Sequence, residues 1–179
     1  MRILGIDPGS RRTGYGLIEA TPQHNRYLSS GCIRLPESKS LAERLVLLGD
    51  ALGDLIQQWQ PDCGVVEEVF FAKHPRSALV LGHVRGVVLL ELGRRQVRLH
   101  EYSPRQVKQS LVGTGGAQKK QIQHMVRMLL NLQSCPLQED EADALAVSLT
   151  HAHILPLQQR LHLSLIHIDA ADEFSCVDL

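Results

Sequence analysis

Residues Arg2 to Ile6 form a short, nearly continuous apolar run that stops at Asp7-Pro-Gly-Ser. A run this short and this apolar reads as a strand buried on both faces, and the Pro-Gly pair reads as the turn that ends it. The pattern recurs at Cys63 to Val66, where Pro61 closes the preceding helix and a second short apolar strand delivers Glu67 at its C-terminal end. Two buried strands that each stop at an acid call for a layered sheet.

The intervening segments fill in the layers. Thr13 to Glu19 and Tyr27 to Leu35 read as two further strands of an antiparallel meander. Ser40 and Glu43 have the spacing of a capping box, and Leu41, Leu45, Leu48, Leu52, Leu55 and Trp59 recur at helical spacing. A helix over about Ser77 to Arg94 and a strand over about Val97 to Glu101 follow. Ser103 as N-cap with Pro104 after it opens another helix, Gly113-Thr-Gly-Gly116 is a loop, and further helices begin at Gln118 and at about Asp140, the last running to Ile154. Strands first, then strands alternating with helices, give an α/β fold in one domain, a size that 179 residues suit.

The net charge of zero conceals an asymmetry. Residues 73 to 127 hold eleven Lys or Arg against two acids, Glu91 and Glu101, so +9 there is balanced by −9 elsewhere. Such polarity suits a phosphate-binding face. Three Phe, three Tyr and one Trp leave few rings for base stacking, which argues against cold-shock and RNA-recognition modules. MRILGIDPGS has the makings of neither a signal peptide nor a membrane span, so a cytoplasmic protein with no membrane partner is expected. Cys32, Cys63, Cys135 and Cys176 include no Cys-x-x-Cys pair, and reduced thiols are expected rather than a zinc site or a disulfide framework.

Asp7 and Glu67 end strands, while Asp140 and Asp143 are three apart at a helix start and share a face. Four carboxylates aimed at one point demand cations. Hard oxygen donors suit Mg²⁺ or Mn²⁺, and a pair of such ions hydrolyses phosphodiesters. Singly, Asp7 also fits a turn, and Asp140 and Asp143 also fit a helix N-terminus. Spacing does not choose between Glu67 and Glu68, nor exclude Glu139 and Glu141.

GIDPGSRRTGYG at 5 to 16, EEVFFAKHPRSALVLGHVRG at 67 to 86, RQVKQSLVGTGGAQKKQIQHMV at 105 to 126 and DEADALAVSLTHAH at 140 to 153 together resemble the bacterial RuvC resolvases, from Met1 to about Ile154. The resemblance implies a ribonuclease H-like fold with a central mixed five-stranded sheet flanked by helices. It implies a homodimer that resolves Holliday junctions, four-way DNA junctions, by paired symmetric nicks in recombination and repair, with two Mg²⁺ per active site, Mn²⁺ as a substitute, and coupling to the RuvAB branch-migration complex. It assigns the metal-binding and catalytic acids to Asp7, Glu67, Asp140 and Asp143, and so favours Glu67 over Glu68. Lys108 and Lys119 match lysines near the DNA, Phe70 matches an aromatic where the junction opens, and Lys73, Arg76, Arg85, Arg105 and Lys120 are weaker candidates for backbone contacts.

The likeness fails beyond residue 158. LHLSLIHIDAADEFSCVDL is acidic and poorly periodic, and its strings resemble translated sequencing adapter, so residues 159–179 are expected to be non-native and disordered. Two rivals use parts of the same pattern. A ribonuclease H-like enzyme acting on RNA–DNA hybrids shares the metal chemistry, and the phosphate loop of actin-like ATPases resembles Gly5 to Ser10 but belongs to a larger, two-domain protein.

Overall fold

The computed structural model describes residues 1–68 and 75–173, with the side chains of Arg76 and of residues beyond Pro156 outside that description. The element order is β1 (Arg2–Asp7), β2 (Arg12–Ala20), β3 (Asn25–Arg34), α1 (Leu41–Trp59), β4 (Cys63–Glu67), α2 (Pro75–Arg94), β5 (Arg98–Tyr102), α3 (Pro104–Val112), α4 (Lys119–Leu129) and α5 (Glu139–Glu173). The sheet order is β3-β2-β1-β4-β5. β1 pairs antiparallel with β2, and β2 with β3, while β1 and β5 both run parallel to β4. This is the mixed five-stranded sheet that the family resemblance implies.

Alternation along the central strands splits the core in two. Leu4, Ile6 and Val66 face a cluster with Leu48, Leu52, Val84, Val88 and Leu92 of α1 and α2. Ile3, Cys63 and Val65 face the opposite cluster, with Val107, Ile122, Val126, Leu145 and Leu149 of α3, α4 and α5. Each face buries hydrocarbon, which is why β1 and β4 read as continuous apolar runs. Ser40 caps α1 through the expected capping box with Glu43, and Ser103 caps α3 as expected, with Gln106 completing a second box that was not expected.

α5 lies close against the meander because two strand positions lack a Cβ. A Cβ on Gly5 would meet the Ala144 carbonyl oxygen at 2.1 Å, and one on Gly14 would meet that of Asp140 at 2.0 Å. The helix continues past the expected end near Ile154, through Pro156 to Glu173. Directly after Pro156, Leu157, Gln158, Gln159, Arg160 and Leu161 are all good helix formers, even though the segment lacks an amphipathic period.

Candidate active site

Strand parity puts the first two acids on one face. Asp7 shares the side of Ile3 and Gly5, and Glu67 shares that of Cys63 and Val65, so both side chains emerge on the α5 side at the C-terminal ends of β1 and β4. The Glu68 N–H donates to the Tyr102 carbonyl at 2.8 Å, which extends the ladder one residue past β4, and strand alternation then assigns Glu68 to the other face. Asp140 enters from the first turn of α5 and Asp143 from the start of the second. Of the neighbouring acids, Glu141 accepts from Ser30 Oγ at 2.9 Å on β3, while Glu139 is largely exposed and reaches the site only through Lys119.

The electrostatics show the four acids acting on one another. Burial, then Asp143, Glu67 and Asp140 in that order, pushes Asp7 up to about 7, with Lys119 pulling it back. Glu67 is raised by burial and by Asp143, and lowered by Lys108 and Lys119. Lys119 Nζ lies 2.7 Å from Asp143 Oδ2 and 3.6 Å from Glu139. The pair holds the ammonium charged, yet burial still outweighs it at Asp143, whose carboxyl is raised. One lysine does not neutralise this many carboxylates. Asp140 lies at the rim, 4.0 Å from Arg12 and accepting from Cys32 Sγ at 3.9 Å, an interaction the sequence did not signal.

A cavity of about 240 Å³ opens beside these acids, lined by Glu67, Asp143, Lys108 and Lys119 with Pro104, Val107 and Ile122. Lys108 and Lys119 therefore reach the acid centre, whereas Arg105 and Lys120 are exposed on α3 and α4. Arg85 faces inward: its guanidinium donates to the Glu67 carbonyl at 2.8 Å and pairs with Glu101, so a phosphate contact would compete with both. Phe70 and Lys73 lie outside the described residues, and so does the Arg76 side chain.

The carboxylate set fits a hard divalent cation: the donors are all oxygen, they converge from three elements, and burial together with their mutual repulsion raises Asp7 to about 7. His100 and His151 fall elsewhere, in the layer between β5 and α5, where the rings lie 4.2 Å apart and the Tyr102 hydroxyl is 2.8 Å from His151 Nδ1.

Comparison with known proteins agrees with this geometry. Residues 3–151 match the family model for crossover junction endodeoxyribonuclease RuvC. The protein of that name from Idiomarina loihiensis is 54% identical over 155 residues, covering 84% of this chain and 86% of the relative. Its namesake from Marinobacter nauticus is 52% identical over 152 residues, covering 85% and 86%. The structure of T. thermophilus RuvC in complex with Holliday junction substrate superposes with a TM-score of 0.83 at 31% identity, covering 88% of this chain and 96% of that one. An acid centre on a ribonuclease H-like sheet, matched over nearly the whole described domain, places this chain in the RuvC family of crossover junction endodeoxyribonucleases.

Proposed function

We infer that this endonuclease resolves four-way DNA junctions by hydrolysing phosphodiesters at the centre formed by Asp7, Glu67, Asp140 and Asp143. The observation that carries the reading is the convergence of these carboxylates from β1, β4 and α5, where burial first and the neighbouring acids second raise Asp7, as befits a cluster of oxygen donors that a cation would neutralise. Asp7, Glu67, Asp140 and Asp143 would hold two Mg²⁺, or Mn²⁺ in their place, with Asp140 entering from the rim. Bound there, the ions supply an activated water and charge stabilisation for the leaving oxygen.

The chain's own residues do the rest. Lys119 keeps Asp143 oriented through the 2.7 Å ion pair and presents positive charge beside the cavity where a scissile phosphate is to lie. Lys108, on the opposite wall, supplies a second cation for the DNA backbone, and Arg105 and Lys120 extend the positive surface along α3 and α4. Phe70, Lys73 and Arg76 are assigned to the junction on family likeness. Arg85 is a positioning residue: by holding the Glu67 carbonyl it fixes the end of β4.

Paired symmetric nicks require two such centres. Val46 and Leu47 on α1 and Leu90 on α2 are exposed apolar residues away from the acid centre, and this face supports a homodimer. Coupling to RuvAB and a cytoplasmic location are proposed from the family; among the described residues no helix is long and apolar enough to cross a membrane. Residues 159–179 are proposed to be dispensable.

The test is cleavage of a synthetic four-way junction in Mg²⁺ beside a linear duplex and an RNA–DNA hybrid. Symmetrically paired nicks confined to the junction are expected. Preferential cutting of the hybrid would instead assign the same centre to a ribonuclease.

A further inference from the structure

Three groups that the acid centre does not use meet in the layer between the sheet and α5. Cys63 begins β4, His100 lies in the middle of β5 and His151 lies on α5, and their ligating atoms are all within 4.8 Å of one another. The register explains the meeting. β4 and β5 are parallel with Cys63 opposite Arg98 and Val65 opposite His100, so Cys63 and His100 share the face covered by α5. Cys63 is 3% exposed and His151 1%, while His100 is half-buried at the margin.

We propose that Cys63, His100 and His151 form a site for one zinc-class divalent cation, distinct from the acid centre, that clamps α5 to β4 and β5. A thiolate with two imidazoles is a borderline-soft donor set, which selects zinc over the hard cations suited to carboxylates. Three protein ligands leave the fourth tetrahedral position to a water, reached past the half-buried edge of His100. Ligand atoms around tetrahedral zinc lie about 3.5 Å apart, so the trio must contract by about 1 Å, within reach of side-chain rotation. The Tyr102 hydroxyl stands 2.8 Å from His151 Nδ1 and is placed to accept from an Nδ1–H, leaving Nε2 as the ligand. Metal-bound histidines are held in this way. Burial also keeps both rings neutral, lowering His151 to about 4. Cys63 is raised to about 12 by burial, so the cation must displace the thiol proton, and one proton passes to solvent for each cation bound.

The position gives the clamp a purpose. From Cys63 to Glu67 is about 13 Å along β4, and from Asp143 to His151 is about 12 Å along α5. The two sites are too far apart to share an ion, yet the clamp joins the strand that carries Glu67 to the helix that carries Asp143. It would fix their spacing.

The experiment is titration of the metal-stripped, reduced full chain with Co²⁺ and then Zn²⁺, followed by absorption and thermal melting. One equivalent of Co²⁺ is expected to give tetrahedral d–d bands and a thiolate-to-cobalt charge-transfer band that excess Mg²⁺ leaves intact and Zn²⁺ bleaches. The band should vanish in Cys63→Ser, weaken at least about tenfold in affinity in His100→Phe, and survive in Asp7→Asn. Zinc at about a hundredfold over its Kd should raise the melting temperature by about 5 °C or more in wild type and not in Cys63→Ser. His100→Phe lies at the margin of the core, so it keeps the test open should Cys63→Ser fail to fold. Absence of a charge-transfer band in the wild type, or its persistence in folded Cys63→Ser or undiminished in His100→Phe, would overturn the proposal and leave the three side chains as packing.

Discussion

Replacing Asp7 by Asn should stabilise the metal-free protein while abolishing its chemistry. The carboxyl ordinarily titrates at 3.8 and is pushed up to about 7, chiefly by burial and then by Asp143, Glu67 and Asp140. Since the folded chain binds the Asp7 proton more tightly than the unfolded chain does, that proton favours the fold at low pH, and the benefit is lost as pH rises from about 4 to about 7. Ionising Asp7 in the fold at pH 8 therefore costs about 4 kcal/mol, and the corresponding penalty at pH 5 is about 2 kcal/mol. An amide of the same shape carries no charge and escapes most of it. In a chain of this size that corresponds to a rise in melting temperature of about 5 °C or more at pH 8 in EDTA, roughly halved at pH 5. Thermal melts at the two pH values, with and without Mg²⁺, read the effect directly. Mg²⁺ should stabilise the wild type more than Asp7→Asn. Equal stability of the two proteins in EDTA at pH 8, or a difference unchanged between pH 5 and pH 8, would refute the idea that ionising Asp7, buried among other acids, is costly to the fold.

Other perturbations separate the remaining roles. Glu67→Gln should lower the junction cleavage rate at least about a hundredfold, whereas Glu68→Gln, turned to the other face, should stay within about threefold of wild type under single-turnover conditions. Lys108→Ala should weaken junction binding and reduce the slope of log affinity against log salt by about one, as read by fluorescence anisotropy across a salt series; an unchanged slope would remove Lys108 from the DNA surface. Gly14→Ala puts a methyl group 2.0 Å from the Asp140 carbonyl oxygen, so it should destabilise the fold by about 1–3 kcal/mol in urea melts and slow cleavage by displacing the start of α5. Truncation after Gln159 should leave junction cleavage unchanged, and its loss would show that the segment contributes.

Much of this architecture is written locally. Short apolar runs ending at Asp7 and Glu67, the capping box at Ser40, the N-cap at Ser103 and the leucine spacing of α1 each act over a few residues, and each is realised. Choices that depend on how distant segments meet are not legible in that way. Glu67 and Glu68 are equivalent by composition, and only the regular ladder to β5, together with α5 on one face, distinguishes their side chains. The charge sum over residues 73 to 127 counts Arg85 with the outward-facing cations, although its guanidinium is taken up by the Glu67 carbonyl and Glu101. Cys63, His100 and His151 have no local spacing at all, because β4, β5 and α5 bring them together from three separate parts of the chain.

The acid centre is assigned to the cleavage rather than to the binding. The most direct test is single-turnover cutting of a four-way junction in Mg²⁺ by wild type and Asp143→Asn, with junction affinity measured on the same samples. The account predicts symmetric nicks by the wild type and loss of cutting with affinity within about threefold in the variant. Cutting at near wild-type rates by Asp143→Asn would contradict it.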